Sequence, residues 1–445
     1  MGDELKILHY SLGFPPYRTG GMTKFCIDLI KRQIDRGDSA GLMWPGRITI
    51  GKTKIKTGVG VDGIESYEVI NPLPVPYDEG ISNPEKFMSN GDYDCYQEFI
   101  RENRPDVLHI HTFMGLHKNL LIAAKDNGVK IIFTAHDFFA ICPKVTLLRN
   151  NAVCTMGCSC DACPACNSSA LSLIKMAILQ SVVYRKLKDN YFVRHIRKYH
   201  RKKHLSNNDA GENSISGNYA IAEDYKKLRR HYESMMRMAD TVHYNSTLTR
   251  DVYESFINYK GGVVIPITHG DISDNKKIRK YSNEKLKITY MGPESVGKGF
   301  FVIKEALDAL RKYRQDFVLN IFFAPEKVEP YMNVMPPYNY ADMEAIFENT
   351  DIMVAPAVAY ETFGFTVLEA ASYGIPVIIT KNIGAKDILP EEGMIILEDA
   401  SSCVLQKAIE DLDACRLSQM NKALTEKMHV DNMEALCIKI KENFY

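Results

Sequence analysis

The sequence predicts an α/β protein made of two open units of unequal size, each a parallel sheet covered by helices on both faces, with a cleft between them. Short apolar runs alternate with helical patterns over most of the 445 residues, the rhythm that builds strand–helix–strand units. The rhythm runs twice, over 1–275 and again over 285–425, with the join near Asp271–Glu284. It breaks once, over about 140–218, where cysteines and then basic residues accumulate. A final helical stretch, 426–445, is expected to cross back onto the first unit.

The first unit opens with Leu5–Tyr10 as a buried strand. Gly20-Gly21 then gives a turn, and a helical pattern follows with Phe25, Ile27, Leu29, Ile30 and Ile34 on its apolar positions. Further strands are expected at Ala40–Trp44, Val107–His111 and Lys130–Thr134, the last two separated by a helix at Leu120–Asn127. Asn71–Asn90 carries four prolines and reads as loop. After the break come helix Ala220–Met238, strand Thr241–Asn245, helix Leu248–Phe256 and strand Val263–Ile265. The second unit begins with strand Leu286–Met291, a glycine-rich turn and helix Phe300–Tyr313. Strand Phe317–Phe323, helix Ala341–Asn349, strand Asp351–Pro356, helix Thr366–Tyr373 and strand Pro376–Thr380 complete it. Ligands of such sheets sit beyond the carboxyl ends of the strands, which places the site in the cleft.

Composition narrows the function classes. Fifty-five basic residues balance 55 acidic ones, which argues against a general nucleic-acid binder. With 45% apolar residues the chain is of ordinary globular type. No apolar run approaches the ~18 residues of a membrane span, and Met1–Tyr10 has no secretory apolar core, so a cytoplasmic location is expected.

The stretch most informative for chemistry is Glu361-Thr-Phe-Gly-Phe-Thr-Val-Leu-Glu369. Two carboxylates flank a glycine turn that opens a helix. Gly364 allows close backbone approach, helix-start amides suit a phosphate, and Glu369 one turn on can accept hydrogen bonds from a ribose diol. Read more plainly, acids at a helix start merely favour its dipole.

This stretch resembles the E-x7-E motif of retaining glycosyltransferases of the GT-B fold, two facing Rossmann-like domains, and in particular of family 4. Pro15–Gly21 resembles the first-strand glycine loop, Asp106–His111 and Thr134–Asp137 the acceptor-side strand ends, and Val264–Asp271 the segment before the hinge. Lys298-Gly299 matches the lysine–glycine pair after the first strand of the second domain. The resemblance covers nearly the whole chain outside 140–218. It implies a nucleoside-diphosphate sugar as donor and a glycan or lipid-linked glycan of surface polysaccharide synthesis as acceptor. By this resemblance Glu361 contacts the donor sugar and Glu369 the ribose. Gly21, Phe363, Gly364, Phe365 and Thr366 form the diphosphate cradle, Lys298 neutralises the leaving phosphate, and His136 sits near the transferring carbon. No catalytic metal is implied. A non-catalytic relative, serving as a zinc-containing binding or partner subunit, is the second reading.

Two departures stand out. Gly292-Pro293 replaces the glycine–arginine pair of many relatives, and His269 stands near a position usually held by asparagine. Gly292 to Lys298 also fits G-x4-G-K, but residue 299 is Gly where a P-loop needs Ser or Thr for Mg²⁺.

Six of the eleven cysteines fall between Cys142 and Cys166. In a large chain of this type such a cluster points to metal rather than to disulfides. A subset of the resembled enzymes carries H-D-F…C-P…C…C-x2-C, matched here by His136-Asp-Phe138, Cys142, Cys154, Cys163 and Cys166. That match implies a structural zinc on these four thiolates, with Cys158 and Cys160 as alternates; free thiols and an iron–sulfur cluster are the other readings. From Ser169 to His204 a single helix is expected. Its run 171–204 begins apolar and then places nine basic residues between Arg185 and Lys203, including Arg197, Arg201 and Lys202. Such a helix suits an anionic membrane surface, and equally a solvated face of its own domain. His109 and His111 are read as lying on opposite strand faces, and Trp44 as either a sugar-stacking or a rim residue.

Overall fold

The computed structural model describes residues 4–76, 78–155, 157–188, 190, 219–282 and 284–445. The first sheet takes β1 (Lys6–Tyr10), β2 (Ser39–Pro45), β3 (Lys54–Val59), β4 (Glu65–Ile70), β5 (Val107–Ile110) and β6 (Lys130–Ala135). A separate hairpin, β7 (Leu148–Arg149) with β8 (Ala152–Val153), lies in the interrupting segment. The chain then returns to the first sheet with β9 (Thr241–Tyr244) and β10 (Val263–Val264). The second sheet comprises β11 (Leu286–Tyr290), β12 (Phe317–Ile321), β13 (Met332–Val334), β14 (Ile352–Ala355), β15 (Val377–Thr380) and β16 (Met394–Leu397).

The strand orders are β10-β9-β6-β5-β1-β2-β4-β3 and β13-β12-β11-β14-β15-β16. Among the described residues of these two sheets, only β3 runs antiparallel to its neighbour. Strands such as β15, buried at every position, read as continuous apolar runs because helices cover both faces. In each sheet the first strand is flanked by its successor on one side and by a returning strand on the other: β1 by β2 and β5, β11 by β12 and β14. The loops at these two reversals leave the carboxyl edge in opposite directions, and the crevice they open is where ligands of this architecture bind.

Each sheet has an apolar cluster of its own, and a third cluster is common to both. An apolar cluster runs from Phe25 and Leu29 of helix Gly21–Asp35, through Leu436 and Ile440 of helix Met433–Phe444, to Phe363 and Val367 in the second unit. Helix Met433–Phe444 packs on helix Gly21–Asp35 and is tied there by Lys441 to Asp38 at 2.7 Å and by Arg36 and Glu434.

Several elements were not legible. Strand β3 is almost wholly exposed, so no buried face marks it. Helix Tyr93–Asn103 has an Asp92 cap and only Tyr96, Phe99 and Ile100 buried, a stripe too narrow to stand out. The expected helix from Ser169 to His204 is broken in its described part. Helices Leu173–Gln180 and Val182–Leu187 meet at Ser181, whose backbone is extended and whose side chain caps the second helix. The stretches 191–204 and 206–218, with Arg197, Arg201 and Lys202, lie outside the described residues.

Candidate functional site

Three helices begin at the cleft on a glycine and without a capping side chain: Gly21–Asp35 after Gly20, Phe300–Leu310 after Gly299, and Phe365–Ser372 after Gly364. Four helices elsewhere are closed by Asp92, Ser246, Asp413 and Asn432, each accepting a hydrogen bond from a first-turn amide. Helices Lys118–Asp126 and Ser402–Glu410 lack a side-chain cap but do not begin on glycine. At Gly299 (φ 79°) and Gly364 (φ 99°) the backbone is left-handed, which a side chain would resist. A Cβ on Gly299 would also strike the Pro356 carbonyl. The first unit meets the second where a Cβ on Gly21 would lie 2.7 Å from the Phe365 ring. The positive ends of these helices, with open amides at Phe365 and Thr366, therefore face a common space suited to an anion.

The two motif carboxylates are each held by one partner. Lys298 Nζ lies 2.6 Å from the Glu361 carboxylate, both side chains partly open to the cleft. Glu369, buried, accepts from His269 Nε2 at 3.1 Å. The Asp271 amide donates to His269 Nδ1, so Nε2 is the nitrogen that carries the proton toward Glu369. One Glu369 oxygen is thus taken by His269. The His269 ring sits between those of Tyr340 and Phe365, with centroids 5.1 and 5.0 Å away. Phe363, by contrast, turns its ring into the core at 3% exposure, so only its backbone borders the site. Pro293 leaves no side-chain cation at its position, and its carbonyl is bound by the Tyr290 hydroxyl at 2.8 Å. Lys24, which motif reasoning missed, holds Asp28 at 2.6 Å and Asp271 at 2.7 Å, tying the first helix to the start of the join between the units.

Direct straps join the units beside Glu361. Thr362 Oγ1 donates to the His136 carbonyl at 2.9 Å, and Ser246 and Thr249 donate to the Thr362 carbonyl at 2.6 and 2.9 Å. His136 therefore stands between the sheets, half-buried, its ring 4.7 Å from that of Phe25. Behind it lie His111, His9, His109 and His243, all fully buried. His109 and His111 do not face opposite ways. Two residues apart on an extended chain they share a face, and their rings stack at 4.3 Å. Burial holds all of these rings neutral: His9 and His243 are pushed down to about 4, His136 to about 3, and His109 and His111 well below the usual range.

The cysteine segment abuts the same cleft. Leu148 of its hairpin lies near Gly297, and Phe138 meets the Tyr360 ring at 6.1 Å. No disulfide joins the described cysteines. Cys160 is buried and hydrogen-bonded to Cys163, which with Arg229 nearby draws its thiol toward the ionised form. Burial pushes the Cys142 thiol up to about 11 and raises that of Cys166. The donor set is soft and local, as zinc requires, but among the described residues its sulfurs form no trio mutually within 4.8 Å; only His9, His109 and His111 do so. The basic segment is partly internal. Arg185 pairs with Glu68 at 2.8 Å and covers the Trp44 ring, which donates to Ser66 and so is a rim residue. Gln180 accepts from the Val75 amide and donates to the Gly46 carbonyl, both at 3.0 Å.

Two family models match the chain: one described as Glycosyltransferase Family 4 over residues 19–156, and one as Glycosyl transferases group 1 over residues 287–413. The sulfoquinovosyl transferase SQD2 of Arabidopsis thaliana is 26% identical over 175 residues, 36% of this chain; the match spans 34% of that relative's length. Among solved structures, sucrose-phosphate synthase from Thermosynechococcus elongatus superposes with TM-score 0.58 at 11% identity, over 98% of this chain and 97% of that one. Anabaena HepE in complex with UDP-glucose gives TM-score 0.52 at 13% identity, over 99% and 100%. At these identities the superpositions speak to the fold.

The buried histidines set the acid response. Their folded-state pKa values lie below the unfolded value of 6.5, so their contribution is complete above about pH 6.5 and is lost as pH falls toward 4. Each fully buried ring then costs up to about 1.4 kcal/mol per pH unit. Asp137, raised to about 6 by burial, opposes them over part of this range. Urea midpoints should fall steeply between pH 7 and pH 5 with net proton uptake on unfolding. Equal midpoints would show that the rings are not held neutral.

Proposed function

From the premise that this chain is a group 1/family 4-like glycosyltransferase of the GT-B fold, we propose that it transfers a sugar from a nucleoside-diphosphate sugar to a glycan or lipid-linked glycan with retention of configuration, in surface polysaccharide synthesis. The observation that carries this is the convergence of three uncapped helix N-termini on the Lys298–Glu361 pair. A diphosphate is the ligand whose charge matches that field. On binding it draws Lys298 from Glu361, and the freed carboxylate turns to the sugar hydroxyls. Glu369, oriented by His269, takes the ribose diol. As the bond from the anomeric carbon to the diphosphate oxygen breaks, its electron pair stays on the diphosphate. The amides and Lys298 stabilise the charge that develops there, in the position a divalent cation would otherwise fill. The acceptor hydroxyl bonds to the anomeric carbon on the face just vacated and passes its proton to the departing diphosphate. That Anabaena HepE is held with UDP-glucose favours a UDP-hexose donor.

Two finer readings belong to the same proposal. The cysteine segment holds a structural zinc through Cys142, Cys154, Cys163 and Cys166, which would stiffen the loop after His136. The short helices after it dock the enzyme peripherally on the inner face of a membrane. Ile174, Ile178, Val183 and Leu187 are 74, 56, 67 and 46% exposed beside Lys175 and Lys186, an aliphatic and basic surface suited to anionic lipid. Among the described residues no helix is long and apolar enough to cross a membrane.

Thermal unfolding against UDP, GDP, ADP and their sugars tests the donor site. One nucleotide at ~100 times its dissociation constant should stabilise by about 2.7 kcal/mol, with the shift lost in Glu369→Ala. Glu361→Gln and Lys298→Ala should each lower kcat by roughly 100-fold with the fold intact, about 2.7 kcal/mol of transition-state stabilisation; unchanged rates would refute the site. Purified protein should carry one zinc per chain, lost in Cys163→Ser. Retention in Cys154→Ser but not in Cys160→Ser would move the fourth ligand to Cys160. Replacing Ile178 and Val183 with Asp should weaken co-sedimentation with phosphatidylglycerol vesicles by tenfold or more, and undiminished binding would remove the membrane reading.

A further inference from the structure

Behind His136 eight hydrogen bonds run in one unbranched series. His136 Nε2 meets His111 Nδ1 at 3.1 Å, His111 Nε2 meets His9 Nδ1 at 2.9 Å, and His9 Nε2 meets Gln33 Oε1 at 2.7 Å. Gln33 Nε2 reaches the Tyr445 hydroxyl at 3.0 Å, and that hydroxyl reaches His109 Nδ1 at 2.6 Å. His109 Nε2 meets Thr134 Oγ1 at 2.7 Å, Thr134 Oγ1 meets His243 Nδ1 at 3.0 Å, and His243 Nε2 meets the Ile265 carbonyl at 2.7 Å. The trio His9, His109 and His111 brings one ring nitrogen from each within 4.8 Å of the others, as metal ligands do, but all six of its ring nitrogens are already paired within this series.

The carbonyl end decides the direction of every bond. Ile265 O can only accept, so His243 carries its proton on Nε2, and a neutral ring then accepts at Nδ1 from Thr134. The threonine proton being used, its oxygen accepts from His109 Nε2–H, and His109 Nδ1 accepts from the Tyr445 hydroxyl. That oxygen accepts in turn from the Gln33 amide nitrogen, which turns Gln33 Oε1 toward His9 Nε2–H. The same elimination puts the proton of His111 on Nε2 and the proton of His136 on Nε2. His136 Nδ1 is left as a bare lone pair.

We propose that this series is a directional relay that fixes the tautomer of His136, and that Tyr445 is the positioning residue joining its two halves. The ring then offers the cleft a pure acceptor, so a substrate hydroxyl is bound as a donor. Reversing the whole series sets two lone pairs against each other at Ile265. Cutting it at Tyr445 lets Gln33 turn without that cost, and both tautomers of His136 become accessible. The consequence for turnover rests on the glycosyltransferase reading; the tautomer itself does not.

The test is a long-range proton–nitrogen correlation spectrum of the full chain labelled with 15N-histidine at pH 7.5, with His136 assigned by its absence in His136→Gln. The expected pattern is Nε2 protonated and Nδ1 bare. Tyr445→Phe and, from the far end, His243→Phe should each shift His136 toward a tautomer mixture. In Tyr445→Phe kcat should fall about tenfold, with the donor KM changed less than about twofold. Lys441→Ala loosens the same helix from Asp38 without touching the relay, and should leave the His136 pattern intact. A proton on Nδ1 in the unaltered protein overturns the proposal whatever the variants do, and so does an unchanged tautomer in both Tyr445→Phe and His243→Phe. A tautomer that shifts as expected in a chain that turns over no donor supports the relay and refutes the glycosyltransferase reading.

Discussion

Amides at the start of a helix must find acceptors, and in this protein three helices that begin on glycine at the cleft have no capping side chain to supply one. A glycine at the cap costs only a few tenths of a kcal/mol against serine or aspartate, yet it puts no side chain on the first-turn amides and lets a ligand come close. Parallel strands make the convergence possible. A helix that follows a strand begins at the strand's carboxyl edge, so two sheets whose carboxyl edges face each other bring their helix starts together. Gly20, Gly299 and Gly364 occupy those starts. The shared core through Phe25, Phe363 and Leu436 then holds the two edges at working distance.

What the sequence disclosed follows the same physics. Fully buried strands such as β15 are readable as apolar runs, and the glycine turns before helices are readable as punctuation. Strand β3 escaped because its exposed face carries no pattern, and helix Tyr93–Asn103 because its buried stripe is narrow. At the site, Glu361, Lys298, Gly364 and Glu369 stood out by spacing. Lys24, Thr362, Ser246 and His269's bond to Glu369 did not, because each acts across a fold-dependent contact between distant segments. Strict alternation along β5 would have placed His109 and His111 on one face from the sequence itself.

The interrupting segment is a mixture that composition could not resolve. A charge count reads its basic residues as one surface, but Arg185 is spent on Glu68 and Trp44, and the interior is reached by Gln180. Ser181 breaks the helix, and the break splays two aliphatic pairs, Ile174 with Ile178 and Val183 with Leu187, each four residues apart and so on one helix side. The inward face anchors the segment over the β2 and β4 edge, while the outward face is left apolar.

Residues Glu361, Thr362 and Phe363 show how local alternation links these parts. Glu361 turns to Lys298 in the cleft, Thr362 to the first unit through His136, Ser246 and Thr249, and Phe363 to the shared core. A ligand that draws Lys298 away acts on a segment whose next residue bonds the backbone of His136. Partly buried hydrogen bonds of this kind are worth about 1 kcal/mol each and more if left unmade, so the strap resists slipping as the charge around Glu361 changes. On the proposed donor site, charge at the Lys298–Glu361 pair and the placement of His136 would be linked through three consecutive residues, with no need for a large motion of one sheet against the other.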